Sequence, residues 1–176
     1  MPQPFPVILA PYDPDWPVIA SRHAARLQIL GPTLVIAHHI GSTSVPGLTS
    51  KPIIDLMPLV PDLAELDRQQ ACVESLGYQW HGEYGIPGRR YWTLPDEAGN
   101  RVVQLHFFQA DSPDVPRHLA FRDYLRAHPG TARDYETEKR RAQKLYPNDV
   151  HAYTDEKAAW IKRTEEAALL WFARNG

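Results

Sequence analysis

The sequence predicts an α/β fold of the α+β kind, a mixed β-sheet of about five strands flanked by helices and followed by a helical C-terminal third. Apolar, β-branched runs at 34–40 and 52–60 stand on either side of a turn-rich segment. Strand and turn signals then alternate from Tyr78 to Phe108, and from Arg117 onward the apolar period changes to that of a helix. The chain has 176 residues, 43% of them hydrophobic and spread along its length, enough for one substantial core, so a single domain over 1–176 is expected.

The first helix is expected over 15–30, because Trp16, Ile19, His23, Leu27 and Leu30 recur at helical spacing and Gly31-Pro32 ends the run. Leu34 to Ile40 reads as a strand cut off by Gly41, and Pro52 to Val60 as a second buried strand. Asp62 and Glu65 make a capping-box pair ahead of an apolar stripe at Leu63, Leu66, Val73 and Leu76, with Gly77 closing that helix. An antiparallel extension of the sheet follows: Tyr78 to Trp80, a glycine-bearing loop from His81 to Gly88, Arg90 to Leu94, a turn from Pro95 to Asn100, and Arg101 to Phe108. Thr131 and Thr154 are placed as N-caps of helices ending near Tyr146 and Phe172, with acidic residues in their first turns.

The formal charge of −2 divides unevenly, −5 over residues 1–116 and +3 over 117–176. Such an excess falls far short of a nucleic-acid-binding patch, yet it can supply cations to a ligand held by the N-terminal half. The single cysteine, Cys72, has no partner within the chain, which argues for a reducing compartment. No apolar run approaches the ~18 residues of a membrane span, and the start of the chain does not read as a signal peptide. A soluble cytoplasmic protein without a membrane partner is expected.

The most informative stretch runs from His39 to Asp55. Gly41 places a residue without a side chain where backbone can approach a ligand, and Ser42, Thr43 and Ser44 follow with hydroxyls suited to phosphate oxygens. The spacing excludes a Walker A loop. Lys51 can reach a phosphate as a point charge. Asp55 interrupts the apolar run Ile53-Ile54-Asp55-Leu56-Met57, on the face shared with Ile53 and Met57. A carboxylate there must be paired, hydrogen-bonded or metal-bound. The plainer alternative is that Asp55 caps the turn above it.

These residues carry a resemblance. His39-Ile40-Gly41-Ser42-Thr43-Ser44-Val45-Pro46-Gly47-Leu48 followed by Lys51-Pro52-Ile53-Ile54-Asp55 resembles the signature of the GrpB family, also called UPF0157. The blocks Gly82 to Arg90, Leu105-His106 and His118 to Arg126 agree in order, and the resemblance extends from Pro11-Tyr12-Asp13-Pro14 to the last helix. It implies a nucleotidyltransferase-like fold, in which a Gly-Ser turn binds nucleotide phosphates and acidic residues on neighbouring strands hold a divalent metal, Mg²⁺ or Mn²⁺. Gly41-Ser42 and Asp55 fit that pattern. The second acidic position falls on Met57, whose thioether is no ligand for a hard cation. An adjacent strand offers Gln104 and His106 on one face, so Asp55 and His106 are the candidate metal ligands, the alternative for His106 being a hydrogen-bonded structural role.

Outside that stretch, Glu83, Arg89 and Arg90 belong to a loop able to fold over a ligand, or to a plain exposed hairpin. His118, Arg122 and Arg126 line one helical face, either solvated or directed at the ligand. Lys139 shares a stripe with Tyr135, Ala142 and Tyr146, so it either snorkels or enters a pocket. Lys157, in the first turn of the last helix, is unfavourably placed for a cation and calls for a specific partner.

The leading expectation is a protein that binds a nucleotide or other phosphorylated small molecule. Its ligand-binding set is His39, Gly41, Ser42, Thr43, Ser44, Glu83, Arg89, Arg90, His106, Arg122 and Lys139. If a nucleotidyl group is transferred, Asp55, Ser42 and Lys51 are the catalytic candidates. The competing expectation is a catalytically silent accessory module. The resemblance supplies it, because GrpB-like domains also occur fused to dephospho-coenzyme A kinases; Met57 favours it.

Overall fold

The structure is a computed structural model that describes residues 3–176. Helix α1 (Trp16–Arg26) runs into a tighter turn, Leu27–Thr33, in which Gly31 leaves helical geometry at φ 55° and ψ −132°. The helix expected over 15–30 therefore ends in two steps near the Gly-Pro pair that was to stop it. Strands β1 (Ile36–Ile40) and β2 (Ile54–Val60) follow, then α2 (Leu63–Arg68) and α3 (Gln70–Glu74). Next come β3 (Gln79–Trp80), β4 (Arg90–Pro95) and β5 (Arg101–Gln109), and α4 (Asp114–Ala127), α5 (Pro129–Leu145) and α6 (Val150–Asn175) complete the chain. The fold class is the one the sequence predicts: a five-stranded mixed sheet, ordered β1-β2-β5-β4-β3, with a helical C-terminal third.

β2 and β5 pair in parallel at the centre, and every other neighbouring pair is antiparallel. The β2–β5 pairing runs through Ile54, Asp55 and Leu56 and resumes at Leu59, stepping over Pro58, which has no N–H to donate.

Alternation along the strands separates the faces. Ile54, Leu56 and Val60 of β2 join Val103, Leu105 and Phe107 of β5 and Trp92 of β4 in a cluster closed by Trp16 and Ala20 of α1, Leu66 of α2 and Val73 of α3. The opposite face sends Met57, Leu59 and Phe108 against Val115 of α4. Burial of each large apolar side chain contributes roughly 1.5–3 kcal/mol.

Three expectations need correction. The helix over 62–77 is two helices, broken at Gln69, whose amide reaches Thr33 Oγ1 at 2.6 Å. Asp62 caps α2 by accepting from Ala64 N, but Glu65 turns to Arg68 and Gln69, so the capping box is only half formed. The caps of the last two helices also move upstream. Pro129 starts α5, its ring presetting the first helical φ, and Asp149 caps α6 by accepting from His151 N and Ala152 N at 3.0 and 3.1 Å. Thr154 is already helical and donates back to Val150 O at 2.8 Å. Lys157 is consequently beyond the first turn of α6, and the helix-dipole argument made for it lapses.

Candidate functional site

At Gly41 the chain leaves β1 with φ 72° and ψ −173°, and a Cβ built there would lie 2.8 Å from Asp55 Oδ2. Only glycine lets this turn close over the Asp55 carboxylate. Ser42–Ser44 then form one tight helical turn. Its hydroxyls divide their work. Ser44 Oγ donates to Gly41 O at 2.5 Å, and Thr43 Oγ1 shares a 2.9 Å hydrogen bond with His39 Nε2. Ser42 stands beside the Tyr135 hydroxyl. Burial, ahead of the nearby Arg126 and Arg122, pushes His39 down to about 4, so the ring is neutral near pH 7.

Helix α4 fastens the turn from behind. Arg122 Nη1 donates to His39 O at 3.2 Å and Arg126 Nε to Ser44 O at 2.9 Å. The cationic stripe read from the sequence is thus used on β1 and the turn, and Arg122 holds backbone there.

Asp55 is gripped through a chain of side chains. His106 Nε2 lies 2.8 Å from Asp55 Oδ1, and Arg89 Nη1 lies 3.3 Å from His106 Nδ1. A guanidinium only donates, so Nδ1 accepts and the ring proton sits on Nε2, aimed at the carboxylate. Arg89 is itself held by Glu83 O and Tyr84 O at 3.2 and 2.7 Å and lies over the Tyr91 ring at 4.6 Å. It positions His106 from 7% exposure. Arg90 binds both carboxylate oxygens of Asp67 at 2.7 and 2.9 Å, and Glu83 accepts from Gly88 N at 2.9 Å.

These elements wall a cavity of about 320 Å³ between the sheet and the C-terminal helices. Of the candidate catalytic, metal and ligand-binding residues, Gly41, Ser42, Thr43, Lys51, Asp55, His106 and Lys139 line it, as do Gln104 and His118, which the sequence also singled out. His39, Ser44, Arg89 and Arg122 stand behind the lining, while Glu83 and Arg90 serve the loop over 81–88. Absent from the expected ligand-binding set are Lys157, Tyr135 and Tyr153, which line the cavity as well.

Lys139 is 2% exposed and donates to Thr49 O at 3.0 Å and Ser50 Oγ at 3.4 Å. It enters the cavity wall and does not snorkel. Lys157, 6% exposed, lies 4.1 Å from the Tyr153 ring, and Lys51 lies 5.5 Å from the same ring. Burial pushes Lys157 down to about 7, and the Lys51 charge adds to the effect. Burial first, then Lys157 and Lys51, holds Lys139 well below the usual lysine range, and burial lowers Lys51 too.

This donor set does not fit a hard divalent cation. Asp55 already accepts from His106, Met57 is fully buried in the apolar cluster under α4, and the remaining charged groups on the wall are the ammonium groups of Lys51, Lys139 and Lys157. Among the described residues no three His, Cys, Asp or Glu side chains are placed to hold a metal. No helix among them is long and apolar enough to cross a membrane.

Fold and cavity together define the class, an α+β domain with a lysine-walled cavity where a glycine-serine turn meets a strand carboxylate. The family described as GrpB protein matches residues 6–167, and the chain belongs to the GrpB family. It is 37% identical over 162 residues to the UPF0157 protein YqkA of Bacillus subtilis, covering 91% of this chain and 46% of that protein. The crystal structure of the conserved protein GrpB from Enterococcus faecalis superposes with a TM-score of 0.88 at 37% identity, covering 94% of this chain and 99% of that one. A dephospho-CoA kinase of Mycolicibacterium paratuberculosis is 27% identical over 97% of this chain and 48% of its own length. The chain therefore spans about half of the YqkA and kinase sequences.

Proposed function

We propose that this GrpB-family protein binds a nucleotide or another phosphorylated small molecule in the cavity between the Gly41–Ser44 turn and helices α5 and α6. The observation that carries the reading is the convergence of Lys51, Lys139 and Lys157 with Ser42 on a single cavity. Cations kept from water are stabilised by an anion, and phosphate is the biological anion best matched to grouped lysines and a hydroxyl. A second cavity, about 710 Å³ and walled in part by Phe5, Ile8, Pro52 and Val102, shares Lys51 and Ile53 with the first. It offers an apolar berth for the body of a ligand whose phosphates meet the lysines. Thermal-shift measurements with nucleoside triphosphates, coenzyme A precursors and other phosphorylated metabolites test the reading. A melting temperature that none of them moves would refute it.

Nucleotidyl transfer is the finer form of this proposal. Asp55, oriented by His106, would accept the proton of an attacking hydroxyl while the lysines offset charge on the phosphoryl oxygens and on the departing pyrophosphate. Equal nucleotide turnover by the wild type and Asp55→Asn would remove Asp55 from any such mechanism. Met57 favours a second reading, in which the cavity binds its ligand without transforming it and serves another enzyme in a cytoplasmic setting. The similarity to half of a dephospho-CoA kinase is in keeping with that role. Coenzyme A precursors that shift the melting temperature while nucleotides leave it unmoved would favour it.

A further inference from the structure

The cavity wall contains more positive charge than its own residues neutralise. Among the described residues, Lys51 and Lys157 make no hydrogen bond and no close ion pair; Asp55 attracts both only at longer range, as Glu138 does Lys157, and the near contacts of their ammonium groups are with the Tyr153 ring, and for Lys157 also the Tyr135 ring at 5.7 Å. Lys139 satisfies part of its donor capacity on Thr49 O and Ser50 Oγ. The single carboxylate on the wall, Asp55, accepts from His106. A lysine only 6% exposed, whose ammonium group faces the cavity without a hydrogen-bond acceptor, is unfavourable in the empty protein, so a partner that completes it must come from outside.

We infer that the cavity takes a polyanion, such as a linear di- or triphosphate moiety, directly onto Lys51, Lys139 and Lys157, without a bridging divalent cation. This rests on the phosphate-binding reading above and narrows it to the charge and the metal dependence of the ligand. The ammonium groups occupy the electrostatic role that a divalent ion fills in metal-dependent phosphate sites, and a further cation among them would meet repulsion. A polyphosphate presents several oxygens in a row, as three grouped ammonium groups require, whereas an isolated monoanion leaves most of that charge uncompensated.

Binding is also coupled to protons. Lys157 faces Lys51, Lys139, Asp55, Glu138 and the rings of Tyr135 and Tyr153, and with the cavity empty it is only partly protonated near neutral pH. A polyanion stabilises its charged form, so complex formation takes up protons from solution.

Isothermal titration of the full chain with inorganic tripolyphosphate and with orthophosphate, first in EDTA and then in excess Mg²⁺, tests the inference, with ATP as a parallel probe. Tripolyphosphate should bind in EDTA far more tightly than orthophosphate, take up protons, and weaken when Mg²⁺ competes for it. Lys157→Met should weaken tripolyphosphate binding by roughly 10-fold or more, the usual range for a lost charge-assisted contact, while melting no lower than the wild type. Lys51→Met serves the same purpose if the first variant folds poorly. Equal affinity for orthophosphate and tripolyphosphate, or unchanged binding by the folded variants, overturns the inference. ATP or tripolyphosphate held only with Mg²⁺ overturns it too, but leaves the phosphate-binding function standing. Failure of every phosphorylated probe, with and without Mg²⁺, removes both.

Discussion

The two faces of the sheet are built from the same strands and solve opposite problems. Toward α1, α2 and α3, β2 and β5 send Ile54, Leu56, Val60, Val103, Leu105 and Phe107, and the layer closes without a charged group among its clustered residues. Toward α4, α5 and α6 the intervening positions send Asp55, Gln104 and His106, and the helices answer with Lys139 and Lys157. Shifting by one residue along a strand moves from a face optimised for burial to one that keeps polar groups under cover. Stability comes from the first face, and the second uses part of it to maintain a ligand-ready site.

If that division is right, the faces respond to substitution with different size and sign. The largest effect belongs to the closed face: Leu105→Ala, fully buried between the helices and β4, should cost about 2–5 kcal/mol in denaturant unfolding, with ligand affinity of the folded fraction little changed. Gly41→Ala comes next, because φ 72° and the approach to Asp55 Oδ2 both oppose a side chain. We expect a loss of about 1–3 kcal/mol together with loss of ligand-induced thermal shift.

Lys157→Met reverses the sign. Removing a buried cation should stabilise the empty protein by about 1 kcal/mol or more at pH 7. The pH dependence follows from linkage. With the folded value near 7 and the unfolded one near the ordinary ~10.4 of lysine, the unfolded chain binds more protons between them, so stability rises with pH across that window. The gap between Lys157→Met and wild type is therefore widest at or below pH 7 and closes toward pH 10, as chemical melts at several pH values would show. The smallest effect is reserved for Arg90→Ala. This variant breaks a partly exposed pair with Asp67 outside the cavity and should cost no more than about 1 kcal/mol, with ligand binding unaltered. A large loss of binding in this variant would mean that the loop over 81–88 reaches the ligand after all.

The parts of the site that lie close together in the chain were legible before the structure. Gly41, Ser42, Lys51 and Asp55 fall within one turn-and-strand segment, where composition alone signals close backbone approach and an unusual buried carboxylate. What escaped was set by docking. Misplacing the start of α6 at Thr154, where Asp149 is the cap, put Lys157 in the first turn and traced its need of a partner to the helix dipole, when the cause is its burial against the cavity. A signal was available: Tyr153 precedes Lys157 by four residues just as Tyr135 precedes Lys139, and on a helix that spacing lays each lysine against its tyrosine. Arg89, Arg90 and Glu83 looked alike as loop charges. Only the folded loop distinguishes the arginine buried against Tyr91 from the one paired with Asp67.

The bonds that finish the cavity join residues far apart in sequence, with Lys139 reaching Thr49 across 90 positions and Arg126 reaching Ser44 across 82. Closing such loops is slow, so the apolar face can consolidate while the lysines are still in water, and the charged helices dock late. A refolding chain would then pass through a stage with an intact sheet and no binding site, and phosphate present during refolding would act mainly on the final step.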